Sequence, residues 1–343
     1  MKNMLKKIKK TFFWRMIIEN FFYPLIHFFW SYILNFEAKI LYFFWSTKKK
    51  KYYDLKKNDK KLIYGDPFFQ NLARKILDES TTLVEQSKKE ILSKEYQEIL
   101  SSQNTARAEK PYQKSLYNKL SQKMKNEIIE LASSDLMITT AARHMKIFPI
   151  LTRVDVGHII PRENTNPRAA MLWHKDNFGF KSLDFFMIIT NVDENNGPLI
   201  CLEEKIKAGA LKSFVSKKFR TGERGKVDLD EFNEIFGKHS TIELKGLSGN
   251  GLFIDSFSSY HRGGYCKTKE RIMLRFCYQS ADAICDQSFY SKKNYFEFNN
   301  EIKKVKDMNI FHKYFYFKKP SQITRFIATS LVKFYSLIEY KYN

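Results

Sequence analysis

Trp173-His174-Lys175-Asp176, followed well downstream by His261-Arg262-Gly263 and then by Arg271, is the stretch on which the reading of this chain turns. Two imidazoles and one carboxylate are the ligand set of a facial triad, which grips Fe(II) on one side and leaves the opposite positions open. On a strand, residues i and i+2 share a face, so His174 and Asp176 are expected to aim at one ion while Lys175 turns away. The third ligand must come from elsewhere, and His261 follows Leu252-Phe253-Ile254-Asp255, an apolar run that reads as another strand. Arg271 opens a further strand, and a fixed cation beside such a metal is what a dicarboxylate co-substrate needs. A lone His-x-Asp is a weak sign. The weight lies in the order of the whole set.

Outward from this stretch, strand-like runs follow in quick succession at residues 170–173, 183–190, 199–202, 241–244, 252–255 and 271–278, parted by Gly, Asn and Pro turns. Such spacing is the signature of a jelly roll or barrel. Residues 150–160 alternate like one more strand. Upstream the pattern is helical. Asp66 can cap a helix that Pro67 begins, with Phe69, Leu72, Ile76 and Leu83 near helical spacing, running to about Leu100. A second helix is expected over residues 115–131. A third, capped by Ser133 or Ser134, should reach about Lys146. Helices first and strands afterwards predict an α+β fold in which helices brace one face of a β-sandwich.

With the acidic turn Asp193-Glu194-Asn195-Asn196-Gly197-Pro198 and the turn Gly249-Asn250-Gly251 in between, the motif order resembles the phytanoyl-CoA dioxygenase-like branch of the Fe(II)/2-oxoglutarate oxygenases. The resemblance covers about residues 150–278. It implies a double-stranded β-helix (jelly roll, cupin-like) core, with His174, Asp176 and His261 as catalytic metal ligands for Fe(II). It further implies 2-oxoglutarate and O2 as co-substrates, the far carboxylate of 2-oxoglutarate pairing bidentately with Arg271, and hydroxylation of a small molecule, lipid-linked or amphipathic compounds among the candidates. Arg275 is the rival for that carboxylate, on the same strand face about 13 Å further along. Trp173 could wall the pocket or simply fill the core, and His158 could line the pocket or be a hydrogen-bonded structural histidine. Many family members carry Pro-Gly-Ser-His where this chain has Cys201-Leu202-Glu203-Glu204, so the family's substrate is not carried over. Two other readings stand beside this one: a zinc hydrolase, to which an arginine at the position of Arg271 would be superfluous, and a non-catalytic, membrane-associated scaffold.

At 343 residues and 43% hydrophobic content the chain can bury a full core. Its net charge of +22 points to nucleic acid or an anionic membrane. No zinc-finger, RNA-binding or helix-turn-helix signature accompanies the charge, so no specific nucleic acid is expected as a partner. Cys201, Cys266, Cys277 and Cys285 have no CxxC spacing; free buried thiols suit a reducing, cytoplasmic compartment. Residues 1–60 hold three of the four tryptophans (Trp14, Trp30 and Trp45) among many phenylalanines, between lysines 6–10 and 48–51. That composition favours the headgroup level of a bilayer, yet charges interrupt every stretch long enough to span. The expected organisation is therefore a membrane-associating segment over 1–60, a helical brace over 61–148, an oxygenase core over 149–290 with an insertion at 205–238, and a basic, aromatic helical region over 291–343. The protein would sit peripherally on the cytoplasmic side of a membrane.

Overall fold

Helix-forming sequence early and strand-forming sequence late fold onto each other as layers in a computed structural model of the chain. The structure describes residues 35–47, 50–55, 60–93, 113–161, 169–176, 181–204, 229–281, 311 and 314–315. Cys285, most of the helical region expected over 291–343, most of the 205–238 insertion and the N-terminal aromatic stretch up to residue 34 lie outside them.

Four helices form the first layer. α1 (Phe36–Ser46) buries Ala38, Leu41 and Trp45. In α2 (Pro67–Leu92) the Asp66 carboxylate accepts from the backbone N–H groups of Phe68 and Phe69 at 3.0 and 3.3 Å, two donors that the first turn leaves without helical partners. The α2 stripe Phe69, Leu72, Ala73, Ile76, Val84 and Ile91 is buried, and the helix ends at Leu92, short of Leu100. α3 (Gln122–Ala132) begins later than Ser115, behind a Ser121 cap. The residues before it are taken by β2 (Gln113–Ser115), which pairs with β3 (Ile150–Ile159), and Ser115 Oγ donates to Asp155 at 2.6 Å. Sheet pairing thus overrides local helix propensity there. α4 (Asp135–Met145) is capped by Ser134, as its sequence predicts, and closes on Lys146 in the left-handed region (φ 55°).

The remaining strands are β1 (Lys60–Ile63), β4 (Ser182–Ile188), β5 (Leu199–Leu202), β6 (Thr241–Leu244), β7 (Gly251–Ile254), β8 (His261–Gly263) and β9 (Arg271–Gln279). Among the described residues they form a six-stranded antiparallel sheet in the order β1-β7-β4-β9-β3-β2 and a three-stranded antiparallel sheet in the order β6-β5-β8. Side chains alternate across a strand, and that alternation divides the core. Phe185, Met187, Phe253, Leu274, Phe276 and Tyr278 pack with Phe69, Ile76, Ile138 and Ala141 of the helices. The intervening Phe186, Ile188, Leu252, Ile254 and Met273 meet Leu199, Cys201 and Leu244 of the smaller sheet. β4 is buried at every position because both of its faces are covered. α5 (Leu229–Phe236), inside the expected insertion, lays Phe232 and Phe236 against Ile200 and Leu202 on the outside of the small sheet. The architecture is an α+β jelly roll braced by helices. Residues 170–173 are not the strand their composition suggests. Ala169–Met171 form a 3-10 turn, and His174 meets β8 through an isolated bridge to His261.

Candidate metal centre

That single bridge builds the site. His174 N donates to His261 O and His261 N to His174 O, each at 3.0 Å, which sets the two imidazoles side by side with ring centroids 4.4 Å apart. Asp176 follows in irregular chain, tied by its N–H to Ser256 O at 2.9 Å. Its convergence with His174 therefore comes from these anchors and not from a shared strand face.

His174 Nδ1 lies 2.8 Å from Leu172 O, and His261 Nδ1 lies 3.1 Å from Ser259 O. A carbonyl oxygen only accepts, so both Nδ1 atoms donate a proton and each ring turns its Nε2 toward the site. Both Nε2 atoms face the Asp176 carboxylate, at 3.7 Å from Oδ1 for His174 and 3.8 Å from Oδ2 for His261. These separations exceed a hydrogen bond. One possible ligand atom from each of the three residues thus lies within 4.8 Å of the others. The donor set, and the backbone carbonyls that orient the rings, fit a bound first-row metal ion.

Two arginines of β9 stand around this cluster. Arg275 Nη2 donates to Asp176 Oδ2 at 2.8 Å and to Asp184 Oδ2 at 2.5 Å. Burial pushes the Asp176 carboxyl up, but the Arg275 guanidinium and the two imidazoles outweigh it and hold the group well below the usual carboxylate range. Arg271, only 2% exposed, lines with His174, His261 and Arg275 a cavity of about 90 Å³. It reaches that wall across Gly263, two residues beyond His261: a methyl group on Gly263 would come within 3.9 Å of Arg271 Nη2. Gly197 of the Gly-Pro turn and Gly264, the neighbour of Gly263, have a steric basis as well. Gly197, at φ +64°, has no room for a side chain against the backbone of Tyr265, and Gly264 N donates to Pro198 O at 2.9 Å. The acidic turn is thereby clamped to the segment that carries His261.

His174, His261 and Arg271 line one cavity, and Asp176 stands against the two histidines beside it. Trp173 lies elsewhere: it is buried in the cluster with Phe232, Phe236 and Tyr260, stacked on Phe232 at 5.0 Å, and does not line the cavity. His158 also faces away, between Ser87 Oγ at 3.0 Å and Glu270 Oε2 at 2.9 Å. Cys201, Cys266 and Cys277 are free and buried, and burial, only partly offset by Lys60, pushes the Cys201 thiol up to about 12. Sequence reasoning missed Asp184, a carboxylate 1% exposed in the apolar run Leu183-Asp184-Phe185-Phe186. The signal was there, because a charge in such a run needs a buried partner. It also missed Gln113, Arg153 and Asp155, which line the cavity. Arg153 and Asp155 sit at alternate positions of β3, so they share a face.

No protein-family model matches the chain, and no curated protein matches it. Solved structures do. EctD from S. alaskensis with bound Fe is similar at 11% identity over 64% of this chain and 72% of that one, with a TM-score of 0.40. AviO1 from Streptomyces viridochromogenes Tue57 is similar at 12% identity over 64% and 89%, with a TM-score of 0.39. HygX from Streptomyces hygroscopicus with nickel and 2-oxoglutarate bound is similar at 11% identity over 64% and 82%, with a TM-score of 0.35. Likenesses at this level assign no role to any residue of this chain.

Proposed function

We propose that the chain is an Fe(II)- and 2-oxoglutarate-dependent dioxygenase that hydroxylates a small molecule. One observation carries the reading: both Nε2 atoms and the Asp176 carboxylate converge beside a cavity that the buried Arg271 lines. Iron held there, with 2-oxoglutarate and O2 as co-substrates, would supply the oxidative chemistry. The chain's own residues supply the rest. Leu172 O and Ser259 O fix the tautomer and direction of the imidazoles. Arg275 keeps Asp176 ionised and fixes which way it points. Arg271 presents a planar fork suited to the far carboxylate of a dicarboxylate, in a site dry enough for that pair to hold. Phe186, Leu199 and Met273 form an apolar wall, while Gln113, Arg153 and Asp155 offer polar contacts to the substrate.

Arg271 also separates this reading from a zinc hydrolase, whose chemistry asks for no such cation. The motif order from Trp-His-x-Asp through the Gly-Pro turn to His-x-Gly and arginine supports the phytanoyl-CoA dioxygenase-like branch, and the buried free thiols support a cytoplasmic setting. The test is anaerobic Fe(II) binding followed by succinate release from 2-oxoglutarate in the presence of O2. Saturable iron binding that His174→Gln or His261→Gln abolishes, with 2-oxoglutarate consumption by the wild type, is the expected outcome. Tight metal binding without any binding of 2-oxoglutarate would sink the proposal.

A further inference from the structure

A different surface, independent of the oxygenase reading, carries a second function. α1 is apolar on two sides. Its inner residues pack into the core, where Trp45 meets Phe148 and Phe311 at ring centroids 5.2 and 5.1 Å apart. Its outer side displays Phe36 (61% exposed), Ile40 (44%), Phe43 (64%) and Phe44 (57%). Positions 36, 40, 43 and 44 recur at helical spacing, so these four side chains make one stripe. The exposure is not that of a frayed helix. Trp45 Nε1 donates to Thr139 Oγ1 at 3.1 Å, Phe148 N donates to Ala38 O at 3.0 Å, and Ala281 N donates to Asn35 Oδ1 at 2.9 Å. The helix is pinned to the body from both ends with large rings turned outward, and monomeric soluble proteins rarely show such a stripe without a partner for it.

We infer that this stripe is a docking surface for an anionic lipid bilayer, on which α1 lies in the headgroup plane. Charge selects the occupant. The chain carries +22, with lysines at positions 48–51 just past the helix and at 6, 7, 9 and 10 before it, and α1 itself holds a single acidic residue, Glu37. Two copies of a chain so basic repel each other, which disfavours a second copy over the stripe. The residues ahead of α1 include Trp14, Trp30 and six phenylalanines, an apolar load too large for a four-residue stripe to cover in return. Aromatic rings mixed with lysine match the interface of a bilayer, where rings sit at headgroup level and lysines meet anionic lipid. Among the described residues no helix is long and apolar enough to cross a membrane, so the contact is along the surface.

Co-sedimentation of the full chain with phosphatidylcholine vesicles, with and without phosphatidylserine, tests this. The wild type should pellet only with the anionic vesicles and be released by high salt. Phe43→Ser/Phe44→Ser, changing two exposed rings, should lower the bound-to-free ratio at least tenfold with an unchanged melting temperature. Should that pair melt early, Phe36→Ser at the far end of the stripe carries the same comparison. A wild type that stays in the supernatant overturns the inference, and so does a double variant that binds like the wild type. A concentration-dependent dimer that the double variant abolishes, without vesicle binding, would assign the stripe to a second copy instead.

Discussion

Arg275 answers two carboxylates with one positive charge, and replacing it by methionine exposes that arrangement to measurement. In Arg275→Met, Asp176 and Asp184 keep their places, one in irregular chain and one on β4, with the cation between them gone. Removing one partner of a buried ion pair costs about 3–5 kcal/mol. The fold has one escape, which is to protonate a carboxyl, and Asp184 is the one furthest from solvent. Neutralising a group with an ordinary pKa near 3.9 costs about 4 kcal/mol at pH 7 but only about 1.5 kcal/mol at pH 5, at 1.36 kcal/mol per unit. The sign follows: a carboxyl raised in the folded variant binds its proton before the unfolded chain does, so the deficit should widen as pH rises. Urea denaturation of wild type and variant at pH 5 and pH 7 reads it directly. Adding Asp184→Asn should recover part of the loss at pH 7, and a divalent metal should stabilise Arg275→Met more than wild type, because the ion supplies the missing charge. A deficit under about 1 kcal/mol at pH 7, or one that does not change with pH, would refute the reasoning.

Arg271→Ala should raise the apparent KM for 2-oxoglutarate at least tenfold while leaving iron binding intact, since a clamp on the far carboxylate contributes about equally to ground and transition states; steady-state kinetics alongside an iron titration separates the two. Asp66→Ala should destabilise the fold by about 1 kcal/mol through loss of the α2 cap, read as a shift in denaturant midpoint with unchanged slope. For Asp255, burial raises the carboxyl pKa, but its hydrogen bond to His144 at 3.2 Å prevails and the net shift is downward. Its stabilising share is therefore complete above about pH 4 and lost as pH falls below the ordinary carboxyl range, so Asp255→Asn should flatten the acid limb of the stability profile.

The clustering of His174, Asp176 and His261 could be anticipated from the chain because ligand chemistry restricts which side chains serve, and the three stand in an interpretable order. Caps were equally legible: Asp66-Pro67 and Ser134 announce their helices through local hydrogen bonding. What escaped notice depends on partners distant in sequence. Lys60–Ile63 has two lysines in four residues and becomes a strand only because the edge of β7 accepts it. Ser115, at the start of the expected helix, pairs with β3 as part of β2 for the same reason. At residues 170–173 the apolar composition suggests a strand, yet those side chains serve packing instead: Trp173 is buried between α5 and the small sheet, and Met171 packs with Ile159 and Ile160. Arg275 was visible as a residue but not in its role, since Asp184, the second carboxylate it holds, lies far from it in the chain.

β9 also sets a rule for how this protein can change over time. Its odd-numbered residues from 271 to 275 belong to the cavity and its even-numbered ones to the helix layer, within one continuous ladder that pairs with β3 on one side and β4 on the other. Substitutions there can be absorbed one at a time. A deletion or insertion of one residue cannot, because it would turn two guanidiniums into a bed of phenylalanine and leucine and bring those side chains to the cavity. The strand is open to drift in spelling and closed to drift in length, so variants that shorten or extend it should lose the helix packing and the cavity in the same step.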